Sequence, residues 1–442
     1  MSINSHVVKS TIVGALGGLL FGFDTAVISG TTSALTEVYH LTPALLGVTV
    51  SSALAGTVIG AMGAGIPGQK YGRRDSLRVM AIFYVLSAIG CAFAWSWPVL
   101  IFFRFIGGLG IGGSSVLGPM YIAEIAPPAW RGRLVGFFQV NIVVGILLAY
   151  MSNAIIGSRH LGPLEWRWMF GVSAIPALLF LITLFVIPRS PRWLVTQSSL
   201  HEALDVLKLT GVPQAQEELD EIVASVHLER AGTPDPLFSR KYFKPIVIAF
   251  TVGMFTQLSG INAVLYYLND IFALAGATRV SGNLQAIAVG ATNLVFTLLA
   301  MSVIDKFGRK KLLLIGTVGL CICLSLISYI FYTHTHLNWL VWLLMLFIAF
   351  FAMSQGAVVW VYISEVFPNR VRSKGQSLGS SSHWVWNVLI SLLFPIMAKS
   401  SGAYPFMFFA AMMAVDFILV LFYYPETTGI SLEKMQHKLG ID

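Results

Sequence analysis

Twelve stretches of about twenty apolar residues dominate the chain, each long enough to cross the hydrocarbon core of a bilayer as a helix. They lie at approximately 11–31, 47–67, 77–96, 98–121, 134–156, 168–188, 245–268, 283–304, 311–332, 338–363, 375–398 and 403–424. Only 11% of the residues are charged and the mean hydropathy is +0.77, against about 25% charged residues in soluble domains. An all-α membrane protein with twelve transmembrane helices is therefore expected. A net charge of +8 could suggest nucleic acid, but the basic residues form short clusters between apolar runs and no contiguous patch. That distribution is a topology signal. With both ends and the even-numbered connections in the cytoplasm, every Lys and Arg falls inside except Arg159, Arg167, Arg279 and Lys399 outside and Arg104 within span four. A plasma-membrane protein with cytoplasmic termini follows, with no nucleic-acid partner. The first run follows a short polar stretch with a single Lys9 and no small-residue cleavage site, so it reads as a retained helix. Cys91, Cys321 and Cys323 lie inside apolar runs without metal or disulfide spacing and read as packing residues.

The sequence repeats itself. Tyr121-Ile-Ala-Glu124-Ile-Ala-Pro127 to Arg131 matches Tyr362-Ile-Ser-Glu365-Val-Phe-Pro368 to Arg372, each position 241 residues on. Gly72-Arg73-Arg74 matches Gly308-Arg309-Lys310, 236 on, and Pro188-Arg-Ser-Pro faintly matches Pro425-Glu-Thr-Thr, 237 on. Six apolar runs precede the polar stretch 189–244 and six follow it, so the chain is two copies of one unit. Within 189–244, Ser199-Leu-His-Glu202 has the form of a capping box, 213–230 reads as a second helix, and Gly232-Thr-Pro234-Asp-Pro236 ends it. A solvated helical connector is expected there. The glycine run Gly107 to Gly113 sits mid-span with no preceding strand, so it reads as close helix packing and not as a dinucleotide loop.

Charges inside a bilayer are expensive and tend to mark function. Asp24, Arg104 and Asp416 lie within spans, and Glu124 and Glu365 near their cytoplasmic ends. Burial and a guanidinium act on a carboxyl proton in opposite directions, so Asp24 with Arg104 suggests a proton-responsive pair. A static pair gains little net stability. A second, uncharged set comprises Gln139, Asn141, Gln257, Asn262, Asn293, Trp360, His383, Trp384 and Asn387. Carboxamides donate and accept, which suits sugar hydroxyls, and aromatic faces suit the apolar faces of a sugar ring. Polar groups drawn from both halves fit a cavity near the bilayer midplane.

At these residues the sequence resembles the sugar porter family of the major facilitator superfamily over nearly its whole length. The resemblance rests on Gly72-Arg73-Arg74, Pro119 to Arg131, Trp166-Arg167-Trp168, Pro188 to Arg192, Gln257-Leu-Ser-Gly-Ile-Asn262, Gly308-Arg309-Lys310, Glu365 to Arg372 and Pro425-Glu426-Thr427. It implies two six-helix bundles, 1–188 and 245–424, a cytoplasmic helical linker 189–244 and a tail 425–442, with a sugar site between the bundles and transport by alternating access. It puts Gln139, Gln257, Asn262, Asn293, Trp360, Trp384 and Asn387 at sugar-contact positions, with Phe21 and Tyr266 lining the cavity, and makes Asp24 the proton-coupling carboxylate partnered by Arg104. Departures occur at Gln69 and Arg189, where the family usually has acids, whereas Asp305 and Glu426 keep them in the second copy. In the cavity, Thr256, Ile146 and His383 stand where relatives carry amides.

The expectation is proton symport of a monosaccharide, a hexose such as glucose, by a monomer needing no cofactor or metal. The alternatives are a facilitative uniporter and a membrane sugar sensor. An enzyme is disfavoured, because no nucleophile–base set, metal cluster or phosphate loop occurs in a suitable context. The repeated motifs are expected to form a cytoplasmic gate of inter-helix salt bridges from Glu124, Arg131, Arg73 and Arg74 and from Glu365, Arg372, Arg309 and Asp305. These would be made when the cavity faces out and broken when it faces in.

Overall fold

A computed structural model describes residues 4–127, 130–231, 236–368 and 371–427, together with 435, 439 and 441. Among these residues there is no strand. In lipid, backbone groups must be satisfied within the segment, and apolar runs of this length accordingly form helices. Twelve are long and apolar enough to span: Ser5–Gly30, Pro43–Lys70, Arg73–Ala92, Trp97–Ile125, Arg131–Gly157, Gly162–Thr183, Arg240–Tyr266, Ser281–Ile304, Arg309–Thr333, Leu337–Ile363, Lys374–Ser400 and Ala403–Phe422. All twelve expected runs are among them, with ends shifted by up to six residues in either direction.

Two of the interrupted spans carry residues of the polar set. Span seven breaks at Ser259–Gly260, between helices Phe243–Leu258 and Ile261–Tyr266. Span ten breaks at Ser354 (φ −122, ψ −96), between Leu340–Met353 and Gln355–Glu365. The first break has a sequence cause: Gly260 adopts φ +83, the left-handed region that only glycine enters cheaply. The second has no glycine or proline at the break, and hydropathy alone gave no sign of it.

Contacts divide the described chain into two compact units that do not follow the repeat. The first comprises Met1–Asp24, Ala55–Ile146 and Phe170–Thr233; the second comprises Thr25–Leu54, Leu147–Met169 and Pro234–Asp442. Within the second unit, the ends of spans one, two and five pack with the C-terminal helices. Tyr150 donates to Leu265 O at 2.9 Å, Thr32 donates to Asp270 Oδ1 at 3.0 Å, and Gly47 lies so close to Leu392 O that a side chain would not fit. The division at 188 and 245 drawn from the repeat is thus crossed by packing.

Glycines set the helix crossings of the first unit. A Cβ at Gly56, Gly60 or Gly112 would strike backbone across the contact of spans two and four. One at Gly22 or Gly145 would do so between spans one and five. The Gly107–Gly113 run is therefore a packing surface, as its mid-span position predicts.

The connector is more than a solvated bundle. It forms helices Pro191–Thr196, Leu200–Leu209 and Ala215–Ala231, and Trp193, Leu194, Val206, Leu207, Leu219 and Val226 are buried in the first unit's core. Ser199 occupies the N-cap position, but its side chain makes no capping bond, so the expected capping box does not form. Ser190 instead caps the first connector helix, accepting from Trp193 N at 3.2 Å. The expected break at Gly232–Pro236 falls mostly outside the described residues. In the tail, Met435, Leu439 and Ile441 are buried in the second unit's core.

Candidate functional site

In the first unit, Asp24 and Arg104 come together as expected, with Arg104 Nη1 3.7 Å from Asp24 Oδ1. This exceeds the 2.7–2.9 Å of a tight charge-assisted hydrogen bond, so the pair is held by charge and not by a short bond. Arg104 also lies over the Phe170 ring, 5.6 Å from its centroid. The Arg104 side chain is 3% exposed and that of Asp24 22%, so the carboxylate is the more accessible member of the pair. Gly22 brings span five against this turn, with buried Ile146 at the contact. Phe21 and Gln139 are half-buried in the same unit. Asn141 donates to Phe137 O at 2.9 Å, a bond within its own helix.

In the second unit the break at Gly260 turns the chain so that Asn262 follows Gln257 in one hydrogen-bonded series. Asn262 Nδ2 donates to Gln257 Oε1 at 3.0 Å, and Gln257 Nε2 meets His383 Nε2 at 2.8 Å. With the amide donating, that ring nitrogen is the acceptor, which is the neutral imidazole. His383 packs on Trp360 (centroids 4.9 Å apart) and edge-on to Trp384 (5.3 Å). Trp360 stays 38% exposed. Asn387 Nδ2 donates to the Tyr266 hydroxyl at 3.2 Å and Oδ1 accepts from Ser391 at 3.3 Å. Gln257, Asn262, His383, Trp360 and Trp384 are thus one connected group, with Asn387 and Tyr266 forming another. Asn293 and Thr256 join neither: Asn293 accepts from Thr297 at 3.4 Å, and Thr256 donates to Val252 O at 2.7 Å.

The repeated motifs build two clusters of matching form. Arg73 Nη2 lies 2.8 Å from Glu124 Oε1, and Ser190 donates to Glu124 Oε2 at 2.5 Å. In the other copy, Arg309 Nη2 lies 3.2 Å from Glu365 Oε1, and Thr427 donates to Glu365 Oε2 at 2.6 Å. Each cluster is a carboxylate, an arginine and a hydroxyl drawn from the three repeated motifs. The hydroxyls Ser190 and Thr427 were not anticipated, although the faint Pro188/Pro425 match contained them. Arg131 and Arg372 are not the partners. Arg131 donates to Ala123 O at 2.9 Å, and Arg372 reaches Phe367 O at 3.5 Å. Arg74 pairs with Asp75, at 3.1 Å. The Asp305 side chain lies outside the described residues.

The acid missing at Arg189 has a local explanation. In the second copy, Glu426 accepts from the backbone N–H of Arg309 and Lys310 at 2.9 and 3.1 Å, capping span nine. In the first copy Arg189 faces Asp75 in the first turn of span three at 3.5 Å, and Arg78 pairs with the same carboxylate at 2.6 Å. The second copy ties these two elements through backbone donors to Glu426, the first through a side-chain ion pair.

The sequence model of the family described as "Sugar (and other) transporter" matches residues 10–439. The chain is 37% identical to the D-xylose-proton symporter of Escherichia coli, over 98% of this chain and 96% of that one. It is 37% identical to the arabinose-proton symporter of Bacillus subtilis, over 97% and 94%, and 36% identical to a glucose transport protein of Synechocystis, over 96% and 95%. Among solved structures, the inward open conformation of the Escherichia coli xylose transporter XylE superposes with a TM-score of 0.87 at 36% identity, covering 98% of this chain and 99% of that one. XylE bound to 6-bromo-6-deoxy-D-glucose gives 0.80, with the same coverage. Each Glu–Arg bridge joins helices within one unit. With the family match spanning nearly the whole chain, the protein belongs to the sugar porter family of the major facilitator superfamily and is a multi-pass membrane transporter, not an enzyme.

Proposed function

We propose that the protein is a proton-coupled monosaccharide symporter working by alternating access in a plasma membrane, with both termini in the cytoplasm. The observation that carries this reading is the Asp24–Arg104 pair, a membrane-embedded carboxylate facing a single guanidinium at 3.7 Å. A proton on Asp24 discharges the pair and frees Arg104; loss of the proton restores the attraction. A transporter that responds to sugar alone has no need of such a costly charge. The symporters for xylose and arabinose among its relatives support the same reading.

The sugar is held by the carboxamides Gln257, Asn262 and Asn387 and by the indoles of Trp360 and Trp384, with His383 and Tyr266 fixing their orientation. Displacing the Gln257–His383 and Asn387–Tyr266 bonds in favour of sugar hydroxyls exchanges one set of hydrogen bonds for another at little net cost. The relatives are named for xylose, arabinose and glucose, so the substrate class is aldopentoses and glucose-type aldohexoses, and glucose holds no preference over the pentoses.

The test is labelled-sugar uptake into proteoliposomes with a competition panel of hexoses, pentoses and inositol, with and without an inward proton gradient. Gradient-stimulated uptake competed by xylose, arabinose or glucose supports the reading. Uptake equal in both conditions identifies a uniporter, and saturable binding without uptake identifies a sensor.

A further inference from the structure

Asp416 lies in span twelve, in the second unit, and has no part in the chemistry above. It is 3% exposed. Its Oδ2 accepts from Gln355 Nε2 at 2.8 Å, and Gln355 is itself 2% exposed. No cation pairs with Asp416 among the described residues. Several titratable groups on neighbouring elements are engaged elsewhere. Cys321 of span nine bonds Ala410 O, and Lys310 Nζ bonds Leu421 O. Arg309 holds Glu365, and His383 of span eleven bonds Gln257. Tyr424 shares a hydrogen bond with Thr251 of span seven and stacks on Tyr362 of span ten.

Two facts then conflict if Asp416 is ionised. A carboxylate within a bilayer would face only a neutral amide, leaving its charge uncompensated where charge is most costly. In addition, Gln355 Oε1 is buried without a donor, and an ionised carboxylate has none to offer. A protonated carboxyl removes both difficulties: the amide N–H donates to one carboxyl oxygen, and the carboxyl O–H donates to the amide oxygen.

We propose that Asp416 is a second proton-binding site, its proton closing an acid–amide pair with Gln355. Gln355 is the first residue after the break in span ten, so the pair ties the segment Gln355–Glu365, which carries Trp360 and Glu365, to span twelve. The site is separate from Asp24, and the inference stands whether or not Asp24 couples transport.

Infrared difference spectroscopy on the protein in proteoliposomes at neutral pH tests this directly. The wild type minus Asp416→Asn spectrum is expected to contain a carboxylic-acid C=O stretch that moves on H2O-to-D2O exchange and persists in an Asp24→Asn background. Gln355→Leu is expected to shift that stretch, because the acid loses its amide partner, and it serves where Asp416→Asn does not fold. Asp416→Asn, which can form an amide–amide pair, keeps the apparent Tm of the wild type, whereas Asp416→Leu lowers it. Carboxylate stretches in the difference spectrum with no acid band, or an acid band unmoved by Gln355→Leu, would overturn the proposal.

Discussion

Replacing Asp24 with Asn preserves the shape of the side chain and removes both its charge and its proton. Two unit charges at the observed 3.7 Å attract by about 4–5 kcal/mol at an effective dielectric near 20, and the cost of withdrawing them from water offsets much of that. The variant therefore loses an electrostatic contact of modest net stability and the whole of its coupling. The coupling has a calculable size. One charge moving through about 100 mV is worth about 2.3 kcal/mol, and at about 1.4 kcal/mol per tenfold this sustains roughly fifty-fold accumulation of sugar. In proteoliposomes with a potassium diffusion potential of about 100 mV, interior negative, the wild type should approach that ratio. Asp24→Asn should equilibrate sugar to equal concentrations while still catalysing counterflow of labelled for unlabelled sugar. Accumulation by Asp24→Asn above the equilibrium level would refute the reasoning. So would loss of counterflow together with sugar binding, since a purely structural Asp24 produces that result.

The remaining predictions concern the frame around this pair. Glu124→Gln strands an arginine whose side chain, like that of Glu124, is only 10% exposed, a change of about 3–5 kcal/mol; Arg309 is equally buried but Glu365 is 28% exposed, so that pair is better screened and Glu365→Gln should lower the apparent Tm less, as followed by fluorescence-detected size exclusion. Gly260→Ala forces a side chain into the left-handed region at about 1–2 kcal/mol and against the Phe409 ring, so the folded yield in detergent should fall sharply. Gln257→Ala removes a hydroxyl-binding amide worth about 1–1.5 kcal/mol, and the half-saturating sugar concentration should rise about tenfold with the protein still folded. Asp75→Arg and Arg189→Asp should each destabilise the first unit, and the double variant should regain part of the loss.

Much of the fold was legible in the sequence because hydropathy over twenty residues is a strong signal and lipid permits few backbone solutions. The cytoplasmic clusters were half legible. Repetition marked Glu124, Arg73 and the Pro188 segment as related parts, but not which arginine each carboxylate would meet. Arg131 lies closer in sequence than Arg73, yet it turns back to Ala123 O while Arg73, in the first turn of span three, meets Glu124. Ser190 and Thr427 carry no charge and so drew no notice, although each donates the shortest bond of its cluster. In the polar set, the Gln257–Asn262 spacing was informative because a helix-breaking glycine lies between them, whereas nothing in the sequence marked the Thr256 hydroxyl as a donor to Val252 O within its own helix. The break at Ser354 and the Gln355–Asp416 pair were illegible, since neither Gly nor Pro marks the first and the two partners lie 61 residues apart. The division into units was likewise hidden, because the repeat records how the chain was duplicated and the contacts of Tyr150 and Thr32 record how it packs.

The central claim is that sugar and proton cross together, and the measurement that tests it most directly is the pH of a lightly buffered suspension of proteoliposomes held without any gradient. On addition of xylose, arabinose or glucose, whichever the protein carries, the external medium should turn alkaline as protons enter with sugar. The signal should saturate at the same sugar concentrations as uptake and vanish in Asp24→Asn. Sugar entry at an undiminished rate with no change in external pH would contradict the account.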